Sequence, residues 1–409
     1  MAYRTRARRQ SDVPAELRPQ RLDRKPDVLT VKTDIDLVVI GAGVPGVTVA
    51  ATLAEMGLRP LRDFVVFDAE PQPGGSWGRG WDFQTVGHTP LLSGPPGLSE
   101  LGIRLSDQDP EAIVRDIMPP LMRRYEDAYD LFVARPVRVL RVEAMRRSPL
   151  LTLHIQVGDR PPRTITTRYV INATGDWSSP FVPWYPGALD FAGQQLPSAH
   201  IESLAGFSGK RVLVVGGGRS AVTILRELEP IAAKTAWSTR REPDFHELPR
   251  LTLPSRTDSR QREMDARHEA EFVRFVERGE RLPSEVSVRG IPLSRGTLAA
   301  VRRGLLVSQG PLASVQPDGV TLASGERFEA DAIIWATGSR PTMRHLAPLQ
   351  LREQGGMARL RDGWSRRDNR VALLGYGTNR RNPVAARLDA EHLAEGVFDR
   401  LGETPATVK

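Results

Sequence analysis

The sequence predicts an α/β fold that contains two dinucleotide-binding units. Two glycine motifs support this prediction, Gly41-Ala-Gly43-Val-Pro45-Gly46 and Gly216-Gly-Gly218-Arg-Ser220. Each motif follows a run of apolar, β-branched residues and precedes a stretch with the composition of a helix. A strand that passes into a helix through glycines leaves backbone N–H groups and the positive helix end free to bind a pyrophosphate. Two such sites indicate two nucleotide cofactors that meet, and therefore redox chemistry.

The length and hydropathy of the chain set limits on its architecture. A chain of 409 residues exceeds one ordinary core, so we expect two or three domains. No apolar run approaches the ~20 residues of a membrane span, and no signal-peptide core is present. We therefore expect no membrane partner and a cytoplasmic location.

The formal net charge of +8 is concentrated near the start of the chain. Residues 1–32 hold nine Arg or Lys residues against four Asp or Glu residues, a net charge of +5 that leaves +3 for all other residues. This distribution argues against a nucleic-acid partner. We expect residues 1–33 to form a basic leader that is disordered or loosely docked, and anchoring to an acidic partner is the alternative.

The chain contains no cysteine. Enzymes that pass electrons from a flavin to a disulfide need a pair of cysteines, so this activity is excluded, together with Cys-ligated iron–sulfur and zinc sites. The seven histidines show none of the spacings of metal-binding motifs, and we expect no metal site.

The first unit is a complete strand–helix–strand pattern over residues 35–68. Its second strand ends at Asp68, 22 residues after Gly46, where an acidic residue typically binds the adenosine ribose. The alternative role for Asp68 is to accept hydrogen bonds from a turn at the strand end.

A pair of glycines follows this strand in the segment Gly74-Gly75-Ser76-Trp77. Paired glycines allow the backbone to approach an extended cofactor closely. Trp77 is predicted to pack beside a ring system of that cofactor, and packing in the protein core is its alternative role.

Two further strands end in the same tripeptide, Ala173-Thr174-Gly175 and Ala336-Thr337-Gly338. Small residues at a strand end allow the chain to pass close to a nucleotide. Because each copy lies downstream of one glycine motif, we predict that both copies line cofactor sites. An ordinary exit from a strand into a turn is the alternative.

As a set, these motifs resemble those of the flavin-containing monooxygenases and their N-hydroxylating and Baeyer–Villiger relatives, which are flavoproteins with two dinucleotide-binding domains. The resemblance extends over residues 35–380. Its matching positions are Gly41, Gly43, Gly46, Asp68, Gly74 to Trp77, Ala173 to Gly175, Gly216, Gly218, Ser220, Ala221, Ala336 to Gly338 and Leu374-Gly375-Tyr376-Gly377.

The resemblance implies two Rossmann-like dinucleotide-binding domains, with an NADPH-binding domain inserted into a discontinuous FAD-binding domain. It assigns FAD to the first glycine motif and a nicotinamide nucleotide to the second. The implied boundaries are the leader at 1–33, the two parts of the FAD-binding domain at 34–180 and 331–409, a linker at 181–209 and the NADPH-binding domain at 210–330.

The strand after the second glycine motif indicates which nicotinamide nucleotide binds. It ends in Ser238, Thr239, Arg240 and Arg241, where an NAD site would present an acidic residue. A guanidinium fork suits a 2′-phosphate, so we predict NADPH. An exposed, solvated pair of arginines is the alternative.

For the activity, the resemblance implies hydride transfer from NADPH to FAD and then reaction with O₂. One oxygen atom would pass from a C4a-(hydro)peroxyflavin to nitrogen or sulfur of a small organic molecule, and attack on a ketone carbonyl is the alternative that the resemblance leaves open. The expected partners are that substrate and O₂, and the sequence leaves a homo-oligomer open. A flavin dehydrogenase or oxidase without oxygen insertion, and a non-catalytic redox sensor, are the alternatives.

Three positions depart from the pattern of these relatives. Pro197 stands where the motif F-x-G-x-x-x-H has its histidine, Gly87 stands where many relatives have an asparagine, and Arg219 replaces a common asparagine in the second glycine motif. The first two changes affect stabilisation of the oxygenated flavin more than cofactor binding. The candidate catalytic replacements for the flavin-facing donor are Gln84, Thr85 and His88. His200 is the candidate replacement for the histidine of the motif, and an ordinary polar residue of the linker is its alternative role.

Overall fold

A computed structural model describes residues 33–89, 94–247, 290–353, 358–376 and 383–402, together with the single residues Arg274 and Arg278. The predicted leader, apart from residue 33, and Gly377 lie outside the described residues. Within the described ranges, no helix is both long and apolar enough to cross a membrane.

The first sheet combines four parallel strands with four antiparallel ones. The parallel strands are, in spatial order, β17 (Val371–Leu373), β5 (Arg163–Asn172), β1 (Asp34–Ile40) and β2 (Phe64–Phe67), and β2 forms one edge. The antiparallel strands are β3 (Val137–Ala144) and β4 (Leu151–Val157), which join β5, and β15 (Leu360–Arg361) and β16 (Trp364–Ser365), which join β17. All four residues of β2 and the last four of β1 are buried, as expected of strands covered on both faces.

The described helices are α1 (Val44–Glu55), α2 (Val114–Ala128), α3 (Arg219–Leu228), α4 (Arg295–Arg302) and α5 (Pro383–Gly402). Helices α1, α2 and α5 cover one face of the first sheet, where Leu37 and Val39 point. The β3–β4 hairpin and residues 343–351 cover the other face, where Val38 and Ile40 point. Successive side chains of β1 therefore pack alternately into two separate hydrophobic cores.

The second sheet contains only parallel strands. They are, in spatial order, β6 (Gln194–Pro197), β14 (Ala332–Trp335), β7 (Arg211–Val215) and β8 (Lys234–Ser238). Helices α3 and α4 pack on one face. An antiparallel sheet packs on the other face and consists of β11 (Leu312–Gln316), β12 (Gly319–Leu322) and β13 (Arg327–Glu329). A short parallel pair, β9 (Phe245–Glu247) and β10 (Ile291–Leu293), completes the described strands.

The order of the strands along the chain shows that the second sheet is an insertion. The chain completes β5 of the first sheet, builds the second sheet from β6 to β14, and returns to the first sheet at β15. The predicted fold class, two Rossmann-like units with one inserted into the other, is confirmed.

The strands of the second sheet extend beyond the boundaries predicted for the inserted domain. Strand β14 falls in the segment 331–409, predicted as the second part of the FAD-binding domain, but it pairs with β6 and β7. Strand β6 falls in the predicted linker. The four residues of β14 are all buried, so they complete the centre of the second sheet. We propose that the inserted domain runs from Gln194 to Trp335.

Candidate nucleotide and active site

The first glycine motif forms a tight turn between β1 and α1. Gly41 has a φ of +100°, and a methyl group on it would lie 2.6 Å from the Ala173 carbonyl oxygen. A methyl group on Gly46 would lie 2.0 Å from the Gly41 carbonyl oxygen. Both positions require glycine because backbone passes directly against backbone. A methyl group on Gly43 would meet only Pro45 Cδ, at 4.0 Å, so the Gly43 backbone faces open space.

The N-terminus of α1 has the properties of an anion site. Its N-cap is Gly43, so no side chain caps the first N–H groups, and the first turn contains no acidic residue. Pro45 lies in this first turn, where its missing N–H costs nothing. Gly75 packs against the turn, since a methyl group on it would lie 2.8 Å from Gly43 Cα. The free N–H groups and the helix dipole could therefore hold the pyrophosphate of a dinucleotide.

The side chains next to Gly75 point in different directions. Ser76 is exposed, whereas Trp77 is half-buried and packs against the core between α1, α2 and the first sheet. Trp77 thus has core contacts, and its predicted position beside a cofactor ring stays a prediction.

Asp68 ends β2 in a buried group of charged side chains. Arg135 donates two hydrogen bonds of 2.7 Å to the Glu126 carboxylate, and its Nη2 lies 3.3 Å from Asp68 Oδ2. The three side chains are only 8–9% exposed. Burial raises the pKa of both carboxyl groups, and the Arg135 guanidinium opposes this shift.

The hydrogen bonds of Asp68 fit both roles that the sequence left open. Its Oδ1 accepts the Glu70 N–H at 3.1 Å, which is the turn-capping role. Its buried Oδ2 accepts no hydrogen bond from the described part of the chain. The contact of Oδ2 with Arg135 Nη2, at 3.3 Å, is an ion pair, and a carboxylate at this strand end suits the hydroxyl groups of a ribose.

Two other glycines at the end of the first sheet beside α1 also have free space next to their backbone. Gly175 has a φ of +61° and Gly375 a φ of +65°, and a methyl group on either would meet no atom within 4 Å. Leu374 N–H donates to the Asn172 carbonyl oxygen at 2.9 Å, which places Gly375 next to the end of β5. These glycines could therefore let a cofactor lie against the backbone.

Sequence reasoning missed His345, which is buried beside Asn172. Its Nε2 lies 2.7 Å from Asn172 Oδ1, an acceptor, so this nitrogen carries the hydrogen. Burial lowers the pKa of His345 to about 4. The ring is therefore neutral at pH 7 and fixes the Asn172 side chain at the end of β5.

The second glycine motif repeats the geometry of the first. Gly216 has a φ of +131°, and a methyl group on it would lie 2.2 Å from the Ala336 carbonyl oxygen. Gly218 is the N-cap of α3, where no side chain caps the helix and no acidic residue lies in the first turn. Ser220 is half-buried in that turn. In both units, therefore, the first glycine packs against the backbone carbonyl of the alanine in the Ala-Thr-Gly segment, which explains why that position of the motif is glycine.

The two segments that leave the Ala-Thr-Gly strand ends form a paired crossover between the sheets. Thr174 Oγ1 donates to the Thr342 carbonyl oxygen at 2.8 Å, and Thr337 Oγ1 donates to the Phe181 carbonyl oxygen. Each threonine thus binds the backbone of the other segment. Three backbone hydrogen bonds reinforce the pair: Phe181 N–H to Gly338 O, Arg340 N–H to Ser179 O and Thr342 N–H to Gly175 O.

The residues predicted to bind a 2′-phosphate differ in exposure. Arg240 and Arg241 are exposed at the end of β8. Ser238 is 1% exposed, and its Oγ donates to the Gly310 carbonyl oxygen at 2.9 Å. Its single hydroxyl hydrogen is therefore already used, which leaves the two guanidinium groups as the donors available to a phosphate.

The candidate catalytic residues lie on two loops. The first carries Gln84 and His88, the second carries His200, and Trp81 connects the two. Trp81 packs in the core of the second sheet and donates from Nε1 to the Ser198 carbonyl oxygen at 2.8 Å. Gln84 is half-buried on the first loop, whereas His88 and His200 are both exposed. The structure thus brings the two loops together but places neither imidazole in a buried position.

The chain is similar in sequence to a known protein family and to several curated proteins. A family profile described as "Pyridine nucleotide-disulphide oxidoreductase" matches residues 38–289. The indole-3-pyruvate monooxygenase YUCCA4 of Oryza sativa subsp. japonica is 27% identical over 259 residues, 58% of this chain and 57% of that protein. Senecionine N-oxygenase of Tyria jacobaeae is 24% identical over 227 residues, 51% of this chain and 49% of that protein. The chain spans about half the length of the curated relatives that it matches.

Solved structures extend the similarity over most of the chain. A flavin-containing monooxygenase from Stenotrophomonas maltophilia is 30% identical, with a TM-score of 0.68, over 90% of this chain and 99% of that one. The complex of OTEMO with FAD and NADP, 19% identical with a TM-score of 0.58 over 89% of this chain and 85% of that one, shares the fold. The chain therefore belongs to the pyridine nucleotide-disulphide oxidoreductase family and, within it, to the flavin-containing monooxygenases.

Proposed function

We propose that this protein is an FAD- and NADPH-dependent monooxygenase that oxygenates a small organic molecule at nitrogen or sulfur. The observation that carries the proposal is the difference between two otherwise similar sites. The first ends in the buried carboxylate of Asp68, and the second ends in the exposed guanidinium groups of Arg240 and Arg241. A carboxylate suits free ribose hydroxyl groups, whereas guanidinium groups suit a 2′-phosphate.

This difference assigns one cofactor to each site. In the proposal, the first site holds FAD through Gly41, Gly43, Pro45, Gly46, Asp68, Gly75, Ser76, Thr174, Gly175 and Gly375. The second holds NADPH through Gly216, Gly218, Ser220, Arg240, Arg241, Thr337 and Gly338. Bound FAD supplies the redox centre that accepts a hydride and reacts with O₂. The residues of the chain bind and orient the two nucleotides and keep water from the space between the sheets.

Oxygenation at nitrogen is supported by a relative whose name is senecionine N-oxygenase. The partners in this proposal are a small-molecule substrate and O₂, and the protein acts in the cytoplasm.

A flavin oxidase that releases peroxide is a second candidate, and one observation favours it. The loops that Trp81 joins carry His88 and His200 in exposed positions, so neither ring is enclosed as a donor beside a flavin. Oxygen insertion requires that the oxygenated flavin be protected from water, and an exposed imidazole does not provide that protection.

The stoichiometry of turnover separates these functions. The purified protein, loaded with FAD, is mixed with NADPH, ¹⁸O-labelled O₂ and a panel of amines and thioethers. The monooxygenase consumes NADPH and O₂ in equal amounts and places one labelled atom in the product. Consumption of both with formation of peroxide and an unlabelled substrate would identify the oxidase, and no NADPH consumption would identify a redox sensor.

A further inference from the structure

A chain of hydroxyl groups fixes the turn that carries Arg240 and Arg241. Thr239 is 3% exposed, and its Oγ1 donates to the Arg241 carbonyl oxygen at 2.7 Å. The same Oγ1 lies 2.6 Å from Ser308 Oγ. Because a threonine hydroxyl has one hydrogen and Arg241 receives it, Ser308 must donate to Thr239. Gly310 N–H donates to Ser308 Oγ at 3.1 Å. The hydrogen bonds therefore run from Gly310 through Ser308 and Thr239 to the Arg241 carbonyl oxygen in the turn.

The segment 308–310 is tied to the end of β8 along its whole length. Gln309 N–H donates to the Trp237 carbonyl oxygen at 2.9 Å, and Thr239 N–H donates to the Gly310 carbonyl oxygen at 3.2 Å. Together with the Ser238 hydroxyl bond to Gly310, these contacts hold the segment beside the strand end. No hydroxyl hydrogen of Ser238 or Thr239 is left for a ligand.

The same residues connect the arginine turn to the second glycine motif. A methyl group on Gly217 would lie 3.7 Å from Thr239 Cγ2, so Thr239 packs beside the glycine loop. Gly216 N–H also donates to the Ser238 carbonyl oxygen at 2.9 Å. The position of the arginine turn relative to the helix N-terminus of α3 is therefore set through Thr239.

We infer that Ser308 is a positioning residue for coenzyme preference. It acts through Thr239 to hold Arg240 and Arg241 where the 2′-phosphate of a nicotinamide nucleotide lies. Two long, exposed side chains lose conformational freedom when they bind a phosphate, and a fixed backbone turn reduces that loss. This inference rests on the proposed NADPH site, and it adds a residue that lies about 90 positions beyond the glycine motif and matches no motif.

Binding of adenosine nucleotides to the FAD-loaded full chain tests the inference. Isothermal titration compares 2′,5′-ADP with 5′-ADP for the wild type, Ser308→Ala, Ser308→Thr and Ser314→Ala. Ser314 is a matched control because it is a half-buried serine whose hydroxyl accepts a bond from Gln316 on the neighbouring antiparallel sheet. Ser308→Ala removes the hydroxyl that donates to Thr239 and accepts the Gly310 N–H. We expect it to weaken 2′,5′-ADP binding about tenfold and to change 5′-ADP binding less than twofold. Ser308→Thr, which keeps the hydroxyl, and Ser314→Ala retain the wild-type ratio.

The outcomes separate the inference from the proposed function. If Ser308→Ala weakens both nucleotides equally, its role is structural and the inference fails. If it leaves the affinity for both nucleotides unchanged, the inference also fails while the NADPH site stands. A wild-type chain that binds both nucleotides equally overturns the NADPH assignment itself and the role of Ser308 with it.

Discussion

The buried charges around Asp68 predict that Arg135→Met strongly destabilises the protein. Arg135 is 9% exposed and forms two hydrogen bonds of 2.7 Å with Glu126. Its removal leaves two buried carboxyl groups without their counter-charge. Breaking a buried ion pair on one side costs about 3–5 kcal/mol. For a unit of roughly 150–250 residues, this corresponds to a fall in melting temperature of roughly 6–20 °C.

The pH dependence of this loss follows from the sign of the pKa shifts. Burial already raises the pKa of Asp68 and Glu126, and Arg135 opposes the shift, so the variant raises both pKa values further. A carboxyl group whose pKa is higher in the folded state destabilises the fold as pH rises through that folded pKa. The stability difference between Arg135→Met and wild type should therefore be larger at pH 8 than at pH 5.

Urea unfolding followed by tryptophan fluorescence measures both effects on the FAD-free protein. The control is the double variant Glu126→Leu/Arg135→Met, which removes both partners of the pair and should recover more than half of the loss. A variant Arg135→Met that is as stable as wild type at pH 8, or a double variant no more stable than the single one, would refute this role of Arg135.

Three further predictions test individual positions. Asp68→Asn should weaken FAD binding about 10- to 100-fold in a fluorescence titration, because a charge-assisted hydrogen bond to the ribose is lost, and unchanged affinity would contradict the ribose role. Gly46→Ala should give protein without bound flavin, since its methyl group would meet Gly41 O at 2.0 Å, whereas Gly217→Ala, with its nearest contact at 3.7 Å, should keep the flavin; equal flavin content in both would contradict the packing argument. His345 has a pKa of about 4 in the folded protein, below its usual 6.5, so the wild type should lose up to about 3 kcal/mol of stability as pH falls from 6.5 to 4. In urea unfolding, the free energy of unfolding of His345→Gln should fall less than that of the wild type over that pH range. An equal fall in both proteins would show that this ring does not titrate as described.

The parts of the fold that are encoded locally could be predicted from the sequence. The apolar runs of β1 and β7 and the glycines that follow them predict a strand, a turn and a helix at the correct places. The glycines are required by contacts within a few residues or with one neighbouring strand. For this reason the two units could be identified before their arrangement was known.

Other features depend on residues that are distant in sequence. Strand β6 reads Gln-Gln-Leu-Pro and has no strand pattern, so its place beside β14 could not be foreseen. Arg135 meets Asp68 only because residues 134–137 run along β2. Thr174 and Thr337 were predicted to lie beside cofactors, and their hydrogen bonds to the opposite crossover depend on the pairing of two segments about 160 residues apart.

The central claim is that FAD in the first unit is reduced by NADPH in the second. Its most direct test is rapid anaerobic mixing of the FAD-loaded protein with NADPH and, separately, with NADH. We predict that NADPH bleaches the visible absorbance of the oxidised flavin and does so at least tenfold more efficiently than NADH, because only NADPH has the 2′-phosphate that the two arginines bind. A flavin that stays oxidised with NADPH, or that NADH reduces equally well, would contradict the account.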